Sequence, residues 1–332
     1  PATINAPTAA AAAAPRAGAG AAARGPAAVE SRGERAWRLQ HKLAPYLFIS
    51  PFFILFCCFM LYPLCRSIML SMYKAAGPRE MSFVGLDNYK FLLSHDQIFV
   101  AAVVNTTYFA VVFLAVQIPL ALLLAIVLNG PRLRFRNFYR FAFFSPHLVG
   151  SVFVAVIFGM LLAQRHGLIN KGIGLLFPFI GTETNWFAKP ELAMPAVVFA
   201  ALWISLGYAM VYFLAALQSV DRELYEAAEV DGAGRFQQFW HVTLPGIRPV
   251  LAFMVLVGTI GAYQLFELPY VLFYGVFSNY AITIVIYLYQ MGFEGGDIGY
   301  ASAIGWMLVV IIFLVSLVQL RLTRARGGEE AA

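Results

Sequence analysis

Charge is scarce in this sequence. Only 12% of its 332 residues are Asp, Glu, Lys or Arg, against roughly 25% in an average soluble domain. With 61% hydrophobic residues and a mean hydropathy of +0.75, the composition excludes an ordinary soluble domain and reads as a membrane protein. Cysteine is nearly missing: Cys57, Cys58 and Cys65 fall inside or at the end of one apolar run. They have no metal-ligand spacing and no disulfide framework, so small apolar packing is their expected role. The five histidines, His41, His95, His147, His166 and His241, are scattered. That leaves no His/Asp/Cys cluster for metal chemistry and no nucleophile–base pair for covalent chemistry. Gly-x-x-x-x-Gly-Lys-Ser/Thr occurs nowhere, so the chain does not bind and split ATP with that phosphate loop. The net charge of +6 does not point to nucleic acid, because the basic residues lie in short clusters beside apolar runs.

Long apolar runs are what the sequence does have. A helix needs about 20 apolar residues to cross about 30 Å of hydrocarbon. Six spans fit: Leu43–Met69, Val100–Leu128, Phe141–Leu162, Met194–Leu217, Val250–Phe273 and Ala301–Leu320. A further run, Ala281–Tyr289, is too short to cross and is either re-entrant or interfacial. Residues 1–35 are Ala, Gly, Pro and Arg with little to bury, which predicts a disordered tail. No cleavable apolar segment of signal-peptide length follows it. Residues 323–332 are expected to form a short C-terminal tail.

Lys and Arg set the orientation. Sixteen fall in the N-terminal tail, the second-to-third and fourth-to-fifth connections and the C-terminus, and seven in the other connections. Both termini are therefore expected on the cytoplasmic side of the cytoplasmic (inner) membrane, which requires an even number of spans.

The longest ordered-looking cytoplasmic segment is then Asp221–Gly246. Asp221 is placed to N-cap a short helix, Arg222–Val230, with Glu223 near the positive end of its dipole. Gly232 and Gly234 are expected to end that helix and allow a tight reversal. A second short helix from Arg235 to Val242 carries Phe236, Phe239 and Trp240 at helical spacing, and Pro245 is expected to close it. Helices that rest on headgroups show Lys and Arg on the polar face. This segment shows Glu223, Glu226, Glu229 and Asp231 instead, which favours a protein partner over anionic lipid.

The stretch EAAEVDGAGRFQQFWHVTLP resembles the EAA loop of ABC-importer permeases. Glu226, Ala227, Ala228, Asp231, Gly232, Ala233, Phe239, Leu244 and Pro245 stand where that motif has them. GLDNYKFLL (Gly85–Leu93), NTTYF (Asn105–Phe109), LAALQSV (Leu214–Val220) and GYASA (Gly299–Ala303) resemble the carbohydrate-uptake branch, in particular the first permease of the pair in maltose-type and glycerol-phosphate-type systems. The chain departs from that pattern with Asp221 where Pro is common, and with FYGVFSN (Phe273–Asn279) where a glycine-rich turn is common.

The resemblance implies an all-α, six-helix type I importer permease whose 221–246 loop is a coupling helix. It also implies two partner ATPase subunits that bind ATP and Mg, a second permease forming a heterodimer, and an extracytoplasmic solute-binding protein. The chain itself would need no cofactor and catalyse no reaction. A carbohydrate would cross by alternating access. Polar residues at membrane depth mark the path: Ser205 and Tyr208 in span four, Gln264 and Glu267 in span five beside Pro269. Tyr208 also reads as interhelical packing, Gln264 as a bond to a neighbouring helix, Glu267 as an ion pair with the partner permease or a group near the interface in water, and Asn105 and Gln117 as helix-to-helix glue. The alternatives are an ABC importer for an amino acid or ion, and an ion-coupled secondary transporter, against which stands the lack of a clear internal repeat.

Overall fold

The computed structural model describes residues 32–75, 81–130, 133–176, 184–275 and 279–328. Among these, five helices are long and apolar enough to cross a membrane, and a bent helix pair supplies a sixth crossing if it counts as one span. Contacts divide the chain into two units, one through Tyr62 and one from Pro63 onward. The first contains α1 (Arg32–Phe56) and a single wide π turn, Cys57–Leu61. Its apolar side chains, among them Phe48, Phe52, Ile54 and Phe59, are exposed, as suits a helix facing lipid or another subunit. Most of the expected 1–35 tail lies outside the described residues. Its last four residues open α1 rather than continuing a tail.

The second unit begins in α2 (Tyr62–Leu70) and a small antiparallel hairpin, β1 (Tyr73–Ala75) with β2 (Met81–Phe83), Tyr73 opposite Phe83. Next comes α3 (Asp87–Ser94), whose Asn88 amide donates to the carbonyls of Ser71 (2.8 Å) and Tyr73 (3.0 Å). The framework is α4 (Gln97–Asn129) packed along α8 (Pro190–Ser219). Lipid supplies no hydrophobic drive between helices, so close backbone approach has to hold them together. Small residues permit it: Ala102, Ala110, Ala121 and Ala125 on α4, and Ala193, Ala196, Ala200, Ala209 and Ala216 on α8, are all buried. Pro190 starts α8 at a position where the missing N–H costs nothing.

Asp96 caps α4, its carboxylate accepting from the amides of Ile98 (3.0 Å) and Phe99 (2.9 Å). The same carboxylate accepts from the hydroxyls of Tyr287 and Tyr300. A buried carboxylate is costly unless bonded. These donors offset the cost and pin α4 to α13 (Ile284–Tyr289) and α14 (Ile298–Gly328). The 281–289 stretch is packed inside the protein, with Ala281, Ile282, Ile284, Ile286 and Tyr287 buried. After α13 a π turn, Gln290–Glu294, leads into α14, which continues to Gly328, past the expected start of the C-terminal tail at 323.

Two expected spans are broken. The third consists of α5 (Arg136–Phe144), a tight turn (Ser145–Leu148) and α6 (Ser151–Leu161), bent by 97°. Pro146 and Gly150 sit at the bend, where the chain cannot sustain helical hydrogen bonding. The fifth divides into α11 (Leu244–Tyr263) and α12 (Glu267–Leu272), with Gln264–Phe266 between. Pro269 is not the break. It is the third residue of α12, where its missing N–H would have had no helical partner. The short α7 (Leu168–Leu176) precedes α8.

Candidate functional site

The broken ends meet at a cavity. It has a volume of about 470 Å³ and is walled by α4, α8 and α11 and by the starts of α6 and α12. Ser205, Tyr208, Gln264 and Glu267 all line it, from two different spans. One helical turn separates Ser205 from Tyr208 on α8, so both face the same side. Gln264 and Glu267 are brought there by the break after Tyr263, which lets the backbone leave the helix axis and present two polar side chains to the space. Glu267 accepts a hydrogen bond from the Ser151 hydroxyl at the start of α6. A charge at membrane depth costs on the order of 2.5–3.5 kcal/mol on insertion scales unless it finds a partner or water. Ser151 is such a partner, and Glu267 is the first residue of α12, where the helix dipole favours a negative charge.

Gln117 combines two of the readings open from sequence. Its amide donates to the Ser205 carbonyl (3.4 Å), and it also lines the cavity. Asn105 lies elsewhere, donating to the carbonyls of Asn279 (2.8 Å) and Ile282 (3.0 Å) and so fastening the segment before α13 to α4. Sequence reasoning missed Ser151, Phe266 and the apolar wall of Phe109 and Phe113. It also passed over His147, whose ring stacks on Tyr208 at 4.7 Å. The interruption of span three by Pro146 and Gly150 was the available signal, since helix breaks at membrane depth occur where backbone lines a cavity or is buried in protein.

The 221–246 segment forms a second, separate surface. Asp221 caps α9 (Arg222–Val230), accepting from the Glu223 amide at 3.1 Å. The helix ends in a Schellman turn: the Ala233 amide bonds the Ala228 carbonyl (2.9 Å) and the Gly232 amide the Glu229 carbonyl (3.0 Å), with Gly232 at φ +79°. Only Gly232 is left-handed. Gly234 has φ −70° and serves as the N-cap of α10 (Arg235–Gln238) instead. The Pro245 expectation is corrected too. The helix does not end there but runs from Arg235 to Tyr263, and a π turn at Phe239–Thr243 ends two residues before the proline. A wide turn of that kind absorbs the carbonyl that a proline leaves without its usual donor.

Glu226, Ala227, Asp231, Gly232 and Pro245 are exposed, whereas Ala228, Ala233 and Leu244 are half-buried. Ala228, Gly232 and Ala233 form one wall of a groove of about 340 Å³, with Gln237, Gln238 and His241 opposite. Phe239 points the other way and packs on the core cluster shared by α4, α8 and α11. Tyr225 on α9 bonds Thr243 at 2.9 Å. The exposed face of α9 is thereby joined to the helix that walls the cavity.

Residues 117–327, which hold this loop and all of the cavity lining but Phe109 and Phe113, match the family described as binding-protein-dependent transport system inner membrane component. The chain belongs to that family. Among its relatives is the arabinooligosaccharides transport system permease protein AraP of Bacillus subtilis, 37% identical over 300 residues that cover 89% of this chain and 94% of the relative. The lactose transport system permease protein LacF of Rhizobium radiobacter is 33% identical, covering 85% and 94% of the two chains. A crystal structure of a bacterial ABC transporter involved in the import of the acidic polysaccharide alginate superposes with a TM-score of 0.74 at 25% identity, covering 88% of this chain and 99% of that one. The fold is that of a type I importer permease. This permease is a multi-pass membrane protein and a transport subunit.

Proposed function

We propose that this permease subunit passes a carbohydrate through the cavity between α8, α11 and α12, with both termini on the cytoplasmic side. The observation that carries the proposal is the cavity itself: aromatic rings, Tyr208 with Phe109, Phe113 and Phe266, set among a few polar groups, Gln117, Ser151, Ser205, Gln264 and Glu267, in otherwise apolar walls. That combination orients a neutral polyhydroxylated solute without trapping it. The names of the AraP and LacF relatives support a sugar. The chain would work with a second permease, two ATPase subunits that hold ATP and Mg, and an extracytoplasmic solute-binding protein. Glu226, Ala227, Ala228, Asp231, Gly232 and Ala233 would meet the ATPase, while Phe239, Leu244 and Pro245 hold the loop to α11. A push on α9 passes through the Tyr225–Thr243 bond into the continuous 235–263 helix, whose far end carries Gly258, Gly261 and Ala262 on the cavity wall.

The functional test is uptake by the complete complex in vesicles, with arabino-oligosaccharides, lactose and diacetylchitobiose offered in turn. Glu267→Leu and Tyr208→Ala are expected to lower uptake at least about tenfold, since a lost hydrogen bond to a charged group is worth about 1.5–3 kcal/mol. The variants should still co-purify with the partner subunits. Wild-type uptake of an amino acid and of none of the sugars would overturn the carbohydrate reading.

Orientation has its own test. Reporter fusions within 225–245 should read cytoplasmic and fusions within 165–190 extracytoplasmic, as the distribution of Lys and Arg requires. A reproducible outside signal from the 225–245 fusion would remove the docking role along with the orientation.

A further inference from the structure

We propose that the cavity continues toward the α9 end of the spans as a stacking track for sugar rings, built from Tyr208, Tyr212 and Phe253, and that the transported solute is an oligosaccharide longer than the cavity. The inference rests on the carbohydrate reading above. Helical geometry gives the track its direction. Tyr208 lines the cavity, and Tyr212 lies four residues on in α8, on the same face and one turn nearer the end at Ser219. On α11, which runs the opposite way, Val257 lines the cavity and Phe253 lies four residues before it, nearer Leu244. Both extra rings are therefore displaced toward the loop end of their helices.

The rings form a continuous series. Tyr208 and Tyr212 have centroids 4.8 Å apart, and Tyr212 and Phe253 6.2 Å apart with planes 31° from parallel. His147 stacks on Tyr208 at 4.7 Å, which holds that ring from turning. The extra rings are not core aromatics. Phe213, next to Tyr212, is 0% exposed and Phe109 is 2%, whereas Tyr212 is 37% and Phe253 49% exposed.

A sugar ring offers a face of C–H groups that packs on an aromatic face, and a rim of hydroxyls that a Tyr hydroxyl can bond. One helical turn is about 5.4 Å, room for about one more sugar ring beyond the cavity. A monosaccharide would have no use for it. A longer chain would hold the track with its leading ring while the next ring occupies the Tyr208–Glu267 space.

The test compares lengths in the reconstituted complex, using arabino-oligosaccharide and chito-oligosaccharide series from dimer to pentamer. Tyr212→Ala combined with Phe253→Ala is expected to cut uptake of the tetramer and pentamer about tenfold, the loss of two ring contacts, and to reduce that of the dimer far less. Tyr212→Phe, which keeps the ring face, should restore most of the loss due to Tyr212→Ala. Equal loss at every length, or weaker co-purification of the second permease, would show that the rings pack against a partner and would overturn the track. If the wild-type complex takes up lactose but neither series, the track is overturned; if it takes up none of these sugars, the carbohydrate reading itself fails. That outcome is separate, because it appears before any substitution is made.

Discussion

Gly207→Val is expected to remove the folded permease from the membrane. A Cβ built at Gly207 comes within 1.8 Å of the Phe143 carbonyl oxygen, 2.4 Å of the Phe143 carbonyl carbon and 2.8 Å of the Phe144 Cα. Every one of these is a backbone atom. A side chain met at such a distance could rotate away, but here α5 and α8 would have to separate. Overpacking that side chains can absorb costs about 1–3 kcal/mol, and this contact lies beyond that range. Loss of the crossing would also release the bend that sets Ser151 beside Glu267. The expected result is little or no monodisperse protein after detergent extraction, and a large fall in thermal midpoint for whatever remains. Gly172→Ala is the control: its Cβ meets nothing within 4 Å, and Ala is favoured over Gly in a helix by about 1 kcal/mol. Wild-type yield and midpoint for Gly207→Val would show that the α5–α8 crossing is not as close as the structure has it.

The contrast explains which parts of this fold could be read in the sequence. Spans two, four and six were legible because long unbroken apolar runs permit one solution in a bilayer: α4, α8 and the apolar stretch Ile298–Thr323 of α14 extend only a few residues beyond the expected limits. Span three was legible in composition but not in shape. Whether Pro146 and Gly150 kink a helix or turn it by 97° depends on what packs against it, and that partner, Gly207, lies in another span. Span five was expected as one run and breaks at Gln264–Phe266, not at its proline, Pro269, because proline is tolerated in the first turn of a helix. The buried Asp96 with its two tyrosines was invisible for the same reason as Gly207. Its partners Tyr287 and Tyr300 are far away in sequence, and nothing local marks them as donors.

At the candidate site, the choice of Ser205, Tyr208, Gln264 and Glu267 rested on the rule that polar groups at membrane depth need a partner or a cavity, taken together with the resemblance to sugar permeases. Ser151 and His147 fall inside the expected third span and meet the same rule, but the 97° bend that carries them to the cavity does not show in composition. The 221–246 segment was readable to the level of its cap, since Asp221, the acidic first turn and Gly232 are local signals. Its second half was not. Pro245 follows a π turn within a continuing helix, and π turns have no sequence signature comparable to a cap.

A second large effect is expected at Gly232, and here the cause is opposite to that at Gly207. A Cβ at Gly232 meets nothing within 4 Å, but the residue holds φ +79°. Replacement costs about 1–2 kcal/mol for the left-handed backbone, which the Asp221 cap and the Tyr225–Thr243 bond are placed to withstand. A bulky side chain would then project from the Schellman turn at the edge of the groove beside Ala228 and Ala233, on the face proposed to meet the ATPase. Gly232→Trp is expected to give normal amounts of folded permease, and uptake lowered by about a hundredfold or more, as loss of a central contact at about 3 kcal/mol would do. Gly232→Asn separates the two causes. Asn tolerates the left-handed region and is small, so the turn is kept and much of the uptake should remain. Glu226→Lys, on the exposed face of α9, should behave like Gly232→Trp by reversing a charge without touching the turn. The measurements are uptake in vesicles, co-purification of the ATPase subunits, and the response of ATP hydrolysis to the binding protein. Uptake by Gly232→Trp at the wild-type rate would mean that the ATPase docks elsewhere, and the groove between α9 and α10 would lose its assignment.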